Sequence, residues 1–385
     1  MRVLALRKDG VVTYCTAAPE DRGKGRCNHI FHQKDFESDE CFVQRLSLRE
    51  SRVQISQTTN TPVCNRDDSG EIVIEDNFGL KNSTGVQLKG NVLLVENNKV
   101  ENKFLKIDEL NPAKGLHYVS STYDVLYPSL SEDICSRLIS SSDIGLNSVL
   151  YEFNNVNLNG KEYTGSISDN FLSTTNSVEF ILTEPNVDNY DVKHNEFVEK
   201  VIDSKDNEEI LNSLNDFFKR RSQDETKDFK SYILRQAAFD LLTGNKDRKE
   251  NSTNFSMINN GEEIKIINFD YGRCVQSIWS EKTESCKLSD DEINELANDM
   301  AFDSIKGSSI FSPFLKTNLK ESVDFILDNG FEPFKINMKE FDNKTSQLIE
   351  KTKGTKFEFY TKFKVSLLKS MMNNPEIKRL WRIEE

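Results

Sequence analysis

The sequence predicts an α+β fold, with short strands in the first half of the chain and helices in most of the second. Before about residue 170, short apolar runs alternate with turn signals such as Lys8-Asp9-Gly10 and Asn159-Gly160. From Asn207 onwards, apolar residues recur mainly at the spacing of amphipathic helices. Within that second half, Asn259-Asn260-Gly261 separates two apolar runs, which is the pattern of a β-hairpin.

The strands are predicted from apolar or alternating runs that are bounded by turn residues. We expect residues 1–70 to form a separate N-terminal accessory module, in which Ser56–Gly70 is a linker or an exposed loop rich in Thr, Asn and Asp. The predicted strands are Arg2–Leu6, Gly10–Thr16, Glu71–Glu75, Asn91–Glu96, Lys103–Ile107, Val149–Phe153 and Glu162–Ile167.

The helices are predicted from apolar residues at helical spacing together with start and stop signals. One helix begins near Ser231 and stops at Gly244, because glycine tolerates the left-handed conformation of a helix end. Ser131 and Ser289 are expected as N-caps, each followed by acidic residues in the first turn. The other predicted helical bounds are Ser131–Ser140, Asn207–Arg221, Ser289–Met300, Lys320–Asp328, Met338–Lys351, Phe357–Met372 and Pro375–Trp381.

Three polar residues are expected to meet at the mouth of the predicted hairpin. Asp247 lies in the loop after Gly244, Asn254 opens the first strand and Asp270 closes the second. In antiparallel pairing the start of one strand lies beside the end of its partner, so Asn254 and Asp270 should be neighbours. Two carboxylates and an amide oxygen suit Mg²⁺, a hard cation that takes few protein ligands and completes its shell with water and phosphate.

This arrangement resembles the catalytic core of the HipA-like kinases, including the CtkA-type branch, within the wider protein-kinase and phosphoinositide-kinase superfamily. The matching motifs are Gly244–Arg248, Asn254-Phe255 and Asn268–Gly272, the last a variant of the Asp-Phe-Gly signature. The resemblance covers roughly residues 75 to 385. It implies a two-lobed kinase-like domain behind the N-terminal module, with a strand-rich small lobe at residues 71–183 and a mostly helical lobe at residues 184–385.

By the same resemblance, Asp247 orients or deprotonates the attacking hydroxyl, while Asn254 and Asp270 hold Mg²⁺ against the phosphates of ATP. The loop is longer than the usual spacing between its Asp and Asn, so Asn251 is the alternative metal ligand. Lys249 stands where the family often has histidine.

A lysine and an acidic helix residue complete the implied site in the strand-rich half. Lys106 interrupts an apolar strand, which is where a kinase places the lysine that reaches the α- and β-phosphates, although an exposed strand lysine is the alternative. A helix follows, and in the family a helical glutamate at this point steadies the lysine. Glu132 is the matching residue, and Asp133 is the alternative.

The nucleotide is expected to contact two further segments of this half. The polar loop Lys81–Gly90, with Gly85 near its middle, would cover the phosphates with backbone amides, and a surface hairpin turn is the alternative. Because family members commonly phosphorylate themselves, Ser83 and Thr84 are candidate autophosphorylation sites. The residues expected at the hinge beside adenine are Ser168, Asp169, Asn170, Phe171 and Leu172.

The composition narrows the class of protein. A net charge of −13 argues against a protein that binds nucleic acid through phosphate contacts. Seven cysteines, an odd number without a tight pairing pattern, indicate free thiols in a reducing compartment. The N-terminus lacks the apolar run of a signal peptide, and no stretch of about 18 apolar residues is present. We therefore expect a cytoplasmic protein without a membrane span, and secretion as an effector is left open.

Cysteine and histidine residues cluster in the N-terminal module. Their spacing matches no common zinc finger or ribbon, so packing or surface positions are the favoured interpretation and zinc binding is the alternative. The residues concerned are Cys15, Cys27, His29, His32 and Cys41.

The motifs and the resemblance that they carry imply an autophosphorylating serine/threonine protein kinase that uses ATP and Mg²⁺. The expected partners are a protein substrate and, if the chain acts as a toxin, an antitoxin or other regulatory protein. The alternatives are a pseudokinase that binds nucleotide without turnover and a lipid kinase.

Overall fold

The computed structural model describes most of the second half of the chain and shorter stretches before it. The described residues are 3–6, 12–14, 31–32, 62–67, 69–74, 87–96, 99–110, 127–170, 178–180, 206–222, 226–245, 255–259, 264–275, 288–306, 308–311 and 318–384. The chain divides into two compact units, Met1–Thr61 with Leu182–Lys200 and Pro62–Ile181 with Val201–Glu385. The division into an accessory module and two lobes stays a prediction.

The first unit contains a small antiparallel sheet. Its central strand β1 (Val3–Leu6) pairs with β2 (Val12–Tyr14) on one side and with β3 (Phe31–His32) on the other. Both strands predicted near the N-terminus are therefore present. Of the residues in the zinc alternative, His32 is described only as backbone and the other four lie outside the described residues.

The second unit begins with a closed six-stranded barrel, whose strands follow the order β4-β5-β8-β9-β7-β6. Two pairs, β4 with β6 and β5 with β8, are parallel, and the other pairs are antiparallel. The sequence predicted strands here but not their closure, and β4 lies in the tract predicted as a linker. The strands are β4 (Val63–Arg66), β5 (Ile72–Ile74), β6 (Gln87–Glu96), β7 (Lys99–Leu110), β8 (Tyr151–Leu158) and β9 (Lys161–Asp169).

Apolar side chains from the barrel strands form one buried core. Leu105 and Ile107 of β7 meet Val92 of β6 and Ile167 of β9 in this core. Since side chains alternate between the two faces of a strand, the residues between them point out of the barrel. The outer face of β7 is therefore where a polar residue of this strand can reach another element.

Seven helices are described, and they carry the apolar stripes that the sequence predicted. Helix α1 packs against the barrel strands β7, β8 and β9 and against α6 and α7, while α7 also contacts α3 and α4. The helices are α1 (Pro128–Ile139), α2 (Asn207–Ser222), α3 (Lys230–Thr243), α4 (Asp290–Ile305), α5 (Leu319–Asp328), α6 (Met338–Thr352) and α7 (Glu358–Met372). None of the helices in the described part of the chain has the length and apolar character needed to span a bilayer.

Two smaller sheets complete this unit. Strands β10 (Val178–Phe180), β11 (Phe255–Asn259) and β12 (Ile264–Asn268) form an antiparallel sheet in that order. Strands β13 (Phe334–Ile336) and β14 (Trp381–Ile383) pair in parallel. The helix predicted at Pro375–Trp381 is wrong in part. A single 3₁₀ turn, Ile377–Leu380, precedes β14 there.

The helix ends test the start and stop signals directly. Gly244 ends α3 in the left-handed conformation, with φ 64°, as predicted. Ser289 caps α4 and forms a capping box with Glu292, which is also confirmed. The predicted cap at Ser131 is wrong, because α1 begins one turn earlier at Pro128 and Ser131 lies inside the helix. Proline suits a first helical turn because its missing N–H has no partner to lose there.

Candidate active site

Lys106 lies on the outer face of the barrel, between the core residues Leu105 and Ile107 of β7. Only 2% of its surface is exposed. A buried ammonium group loses its hydration, and this costs free energy unless charged or hydrogen-bonding partners replace the water. The exposed strand lysine, which the sequence left open, is therefore not what the structure contains.

Two carboxylates replace the lost water around Lys106. Its Nζ donates to Oε1 of Glu132 on α1 and, at 3.0 Å, to Oδ1 of Asp270, which follows β12. Burial by itself would lower the pKa of Lys106, but Asp270 and Glu132 outweigh it and hold this pKa well above its ordinary value. Lys106 is therefore a fixed positive charge at neutral pH.

The Glu132 carboxylate is held on both of its oxygens. While Oε1 accepts from Lys106, Oε2 accepts a hydrogen bond from Ser166 Oγ on β9. Burial raises the pKa of Glu132, and the nearby charge of Asp270 adds to the rise, although Lys106 opposes both. The carboxylate is sealed from solvent, whereas 27% of the Asp270 side chain is exposed. Asp270 therefore forms the open end of the three-residue cluster.

Helix α1 is tied to β7 by a second carboxylate on the same face of that strand. Asp108 accepts hydrogen bonds from Ser129 N–H, at 3.0 Å, and from Ser129 Oγ. It therefore caps the first turn of α1 from outside the helix, and Thr164 Oγ1 donates to it at 2.9 Å. Burial raises the pKa of Asp108, while these donors oppose the rise. Because the anchor lies two residues after Lys106, it places Glu132 one turn later within reach of the lysine.

Tyr151, the first residue of β8, connects Lys106 with Asp270. Its ring centroid lies 4.9 Å from Lys106 Nζ, which is within range for a cation–π contact. Its hydroxyl oxygen accepts a hydrogen bond of 3.4 Å from the Asp270 N–H. Burial raises the pKa of Tyr151, so it stays a neutral phenol beside the cluster.

The backbone at Asp270 is held in an uncommon conformation. Asp270 has φ 64°, in the left-handed region that aspartate adopts more readily than most residues. The next residue, Tyr271, is fully buried against the rings of Tyr151 and Phe239, and its hydroxyl donates to Ser148 Oγ at 2.8 Å. A conformation of this kind persists where its surroundings fix it, and such positions concentrate at functional sites.

The predicted hairpin is confirmed in its pairing. Strands β11 and β12 pair with Phe255 opposite Asn268 and Asn259 opposite Ile264. Asn268 is then fixed from outside the sheet, since Tyr232 Oη donates to its side-chain oxygen at 2.7 Å. Asp247, Asn251 and Asn254 lie outside the described residues, so their convergence with Asp270 stays a prediction.

The chain that leads into the predicted catalytic loop is firmly anchored. Asn245 is buried, and its side-chain amide donates to Asp240 Oδ1 at 3.1 Å. Gln236 Nε2 donates to the same oxygen at 2.9 Å. At Gly244 an added Cβ would lie 2.7 Å from the carbonyl oxygen of Ser304, so the turn has no room for a larger residue. Asp247 thus comes two residues after Asn245, where the chain is firmly held.

The structure describes some of the residues that were predicted to contact the nucleotide and leaves others outside its described part. Ser168 is buried in β9, with Tyr151 and Phe104 opposite it on the neighbouring strands. Asp169 is exposed and its carboxylate lies 2.6 Å from Lys103 Nζ. Asn170 donates its backbone N–H to the Asn102 carbonyl at 3.2 Å. Ser83, Thr84, Gly85, Phe171 and Leu172 lie outside the described residues.

The described residues of the cluster are chemically suited to bind a complex of magnesium and nucleotide. Asp270 presents a partly exposed carboxylate, which is the ligand type Mg²⁺ prefers, and Lys106 presents a permanent positive charge beside it. Among the described residues, no group of three or more His, Cys, Asp or Glu side chains is arranged as a metal site. A cation held by one or two protein ligands and by phosphate does not require such a group.

Three contributors to the site were not found by sequence reasoning. Asp108 caps α1, Ser166 bonds the second oxygen of Glu132, and Tyr151 contacts both Lys106 and Asp270. The one available signal was Pro128, because proline at a first helical position would have moved the start of α1 to its true place.

Comparisons with known proteins found likeness among solved structures. No family model matches the chain, and no curated protein matches its sequence. The chain is similar to a kinase structure. This is the crystal structure of the proinflammatory kinase CtkA of Helicobacter pylori, matched over 80% of this chain and 99% of that one. The identity is 14% and the TM-score is 0.31, which is too low for a shared fold to be inferred.

Proposed function

We propose that this protein is an ATP-dependent phosphotransferase that transfers the γ-phosphoryl group to a serine or threonine hydroxyl of a protein. The observation that supports this best is the position of Lys106 between Glu132 and Asp270. The three residues come from a strand, a helix and the end of a hairpin. A buried cation with one sealed and one partly exposed carboxylate is costly to assemble for stability alone.

The charges of the cluster suit a triphosphate. Glu132 fixes the lysine from its sealed side and, through Ser166, is itself fixed, so it acts as a positioning residue. Lys106 would then bind the α- and β-phosphates as a permanent cation. When the nucleotide binds, Lys106 would exchange its contact with Asp270 for phosphate oxygens. Asp270 would be released in this way for the metal ion.

The transfer step assigns one role to each remaining residue. Asp270, with Asn254 or Asn251, would hold Mg²⁺, which neutralises phosphate charge when bound. Asp247 would orient the acceptor hydroxyl and take its proton. The hydroxyl oxygen forms the new bond to the γ-phosphorus, and the bond from that phosphorus to the β-phosphate oxygen breaks to release ADP. A protein acceptor, and an antitoxin or other regulatory partner, are parts of this proposal.

The test is the mass of the intact protein after incubation with Mg²⁺ and ATP, together with transfer to a mixed pool of serine- and threonine-containing peptides. Lys106→Met, Asp247→Ala and Asp270→Ala are expected to abolish a phosphoryl-sized gain that the parent protein shows. Lys99→Met is the matched control, because Lys99 lies on the same strand but is exposed, and it should behave like the parent.

Two results would count against the proposal. Turnover that survives Asp247→Ala would remove the assigned mechanism. Stabilisation by ATP without transfer to any acceptor would favour the pseudokinase, in which the same cluster binds nucleotide only. Stabilisation is a sensitive readout, since ligand at about 100 times its Kd adds about 2.7 kcal/mol to the free energy of unfolding.

A further inference from the structure

Lys364 of α7 is a second buried lysine, and the reaction proposed above does not use it. Only 5% of its surface is exposed. Within the described residues, no carboxylate lies within 4.0 Å of its Nζ, in contrast to Lys106. Asp108 lies near enough to favour its charge, but burial dominates and lowers the pKa of Lys364 to about 8. The ammonium form therefore costs folding free energy at neutral pH.

The two hydrogen bonds of Lys364 join two separate segments. Its Nζ donates to Ser131 Oγ at 2.8 Å and to the backbone carbonyl of Val275 at 3.4 Å. Ser131 directly precedes Glu132 in α1, and Val275 follows Asp270 by five residues. Lys364 thus bridges the helix that carries one carboxylate of the cluster and the segment that follows the other.

Val275 is the strained end of this bridge. Its φ is 51°, a left-handed conformation that is a genuine outlier for a β-branched residue. Its N–H is held by the Thr243 carbonyl at 2.7 Å, and its own carbonyl by Lys364. Strain of this kind persists only where several contacts fix the backbone together. Removing the lysine contact would leave only the Thr243 contact to hold this conformation, so the backbone between Asp270 and Val275 would be less firmly fixed.

The region where α1 and the segment after Asp270 are bridged by Lys364 contains two thiols. Cys135, one turn after Glu132 on α1, and Cys274, next to Val275, are fully buried and lie near enough for Cys274 to help raise the pKa of the Cys135 thiol. Burial raises the pKa of Cys135 well above its ordinary value, so this thiol is unreactive while it stays buried. The two cysteines therefore report on whether α1 and the segment after Asp270 stay together.

We propose that Lys364 is a positioning residue for phosphoryl transfer, which clasps Ser131 to Val275 and so keeps Glu132 and Asp270 at the spacing that Lys106 bridges. Only the predicted effect on the rate of phosphoryl transfer rests on the proposed function; the predicted effect on structure does not. A buried charge without a close counter-ion does not favour folding, so the clasp has no evident benefit for stability. Its benefit then lies in the geometry of the cluster.

The test compares Lys364→Met with Lys369→Met. Both lysines lie on α7, but the Lys369 side chain is 40% exposed and pairs with Asp342. Methionine fills the space of the buried lysine, so Lys364→Met should be at least as stable as the parent. We expect kcat/KM for phosphoryl transfer to fall about 10- to 100-fold, as small misplacements of reacting groups do. Labelling of Cys135 and Cys274, followed by mass spectrometry, should accelerate in the same variant. Lys369→Met should change neither.

Ser131→Ala provides a second variant that removes one arm of the clasp and little volume. If the clasp acts as a unit, Ser131→Ala should lower kcat/KM less than Lys364→Met does, and the double variant should be no worse than Lys364→Met. A stable Lys364→Met variant with the kcat/KM of the parent, or additive effects of the two substitutions, would overturn the clasp. A parent protein without any transfer activity would instead overturn the proposed function, while unchanged thiol labelling in Lys364→Met would still refute the clasp.

Discussion

Lys106 and Ser166 lie directly opposite each other on β7 and β9, and each bonds a different oxygen of the Glu132 carboxylate. The orientation of Glu132 is therefore set by strand register. A shift of one residue in either strand would turn the side chain of that strand into the barrel and break its contact with Glu132. The position of α1 and the pairing of the two strands thus depend on each other.

Replacing Ser166 with alanine should destabilise the protein. The substitution leaves one oxygen of a fully buried carboxylate without its donor, and an unsatisfied buried group costs about 1–3 kcal/mol. Urea denaturation measures the difference in the free energy of unfolding. Ser370→Ala is the control, because the hydroxyl of this partly exposed serine donates to the Asn298 side chain at the surface and its loss should cost less than about 0.5 kcal/mol. Equal effects of the two substitutions would contradict the importance of the second Glu132 oxygen.

Tyr151→Phe should separate the two contacts of Tyr151. The ring and its cation–π contact with Lys106 remain, while the Asp270 N–H loses its acceptor. We expect a loss of stability of about 1 kcal/mol, the usual value of one hydrogen bond, and a clear fall in kcat because Asp270 is less firmly held. Steady-state kinetics with MgATP gives this value. Tyr151→Leu removes both contacts, so it should be worse in kcat and in stability, and a leucine variant as active as the phenylalanine variant would argue against the cation–π contact.

Gly244→Ala should be far more damaging than Gly330→Ala. Both glycines have positive φ, so alanine at either position costs about 1–2 kcal/mol of backbone strain. Only at Gly244 would the new Cβ meet an atom, the Ser304 carbonyl oxygen at 2.7 Å, whereas nothing lies within 4 Å at Gly330. Overpacking of this kind adds about 1–3 kcal/mol. Thermal melts of both variants give the comparison, and similar melting temperatures would show that the turn relaxes.

The stability of the parent protein relative to Lys364→Met should rise with pH. The pKa of Lys364 is about 8 in the folded protein, below its ordinary value of 10.5, so the unfolded chain binds more protons between these values. Stability therefore increases as pH rises through this window, and the deficit of the parent below about pH 8 disappears near pH 10.5. The change is on the order of 3 kcal/mol, since each pKa unit is about 1.4 kcal/mol. Paired urea titrations across the window measure it, and a difference independent of pH would show that Lys364 is not the titrating group.

Local signals predicted the elements around the cluster well. The Asn-Gly turn and the apolar runs beside it predicted the β11–β12 hairpin, and Gly244 and Ser289 marked helix ends at their observed places. These features depend on residues close in sequence. The contact of Lys106 with Glu132 was expected only through the resemblance to a kinase family, because no spacing rule places α1 against β7.

The parts that were missed depend on contacts distant in sequence. Asp108 caps the start of α1 although it lies on a strand. A cap signal read from the residues next to the helix therefore does not include it. Closure of the barrel needs the parallel pairs of β4 with β6 and of β5 with β8, which no turn specifies. Lys364 lies on a helix whose charged residues would ordinarily be predicted to be exposed. It is buried because α7 packs against segments that are distant in sequence.

The closed barrel also limits how a polypeptide partner can be recognised. Each barrel strand has a neighbour on both sides, but among the described residues β4 pairs with β6 only at residues 93–95 and β5 pairs with β8 only at residues 156–158. Over these paired stretches no backbone groups remain to which an extended peptide could add as a further strand. A polypeptide that contacts the barrel there would have to be recognised through its side chains and shape.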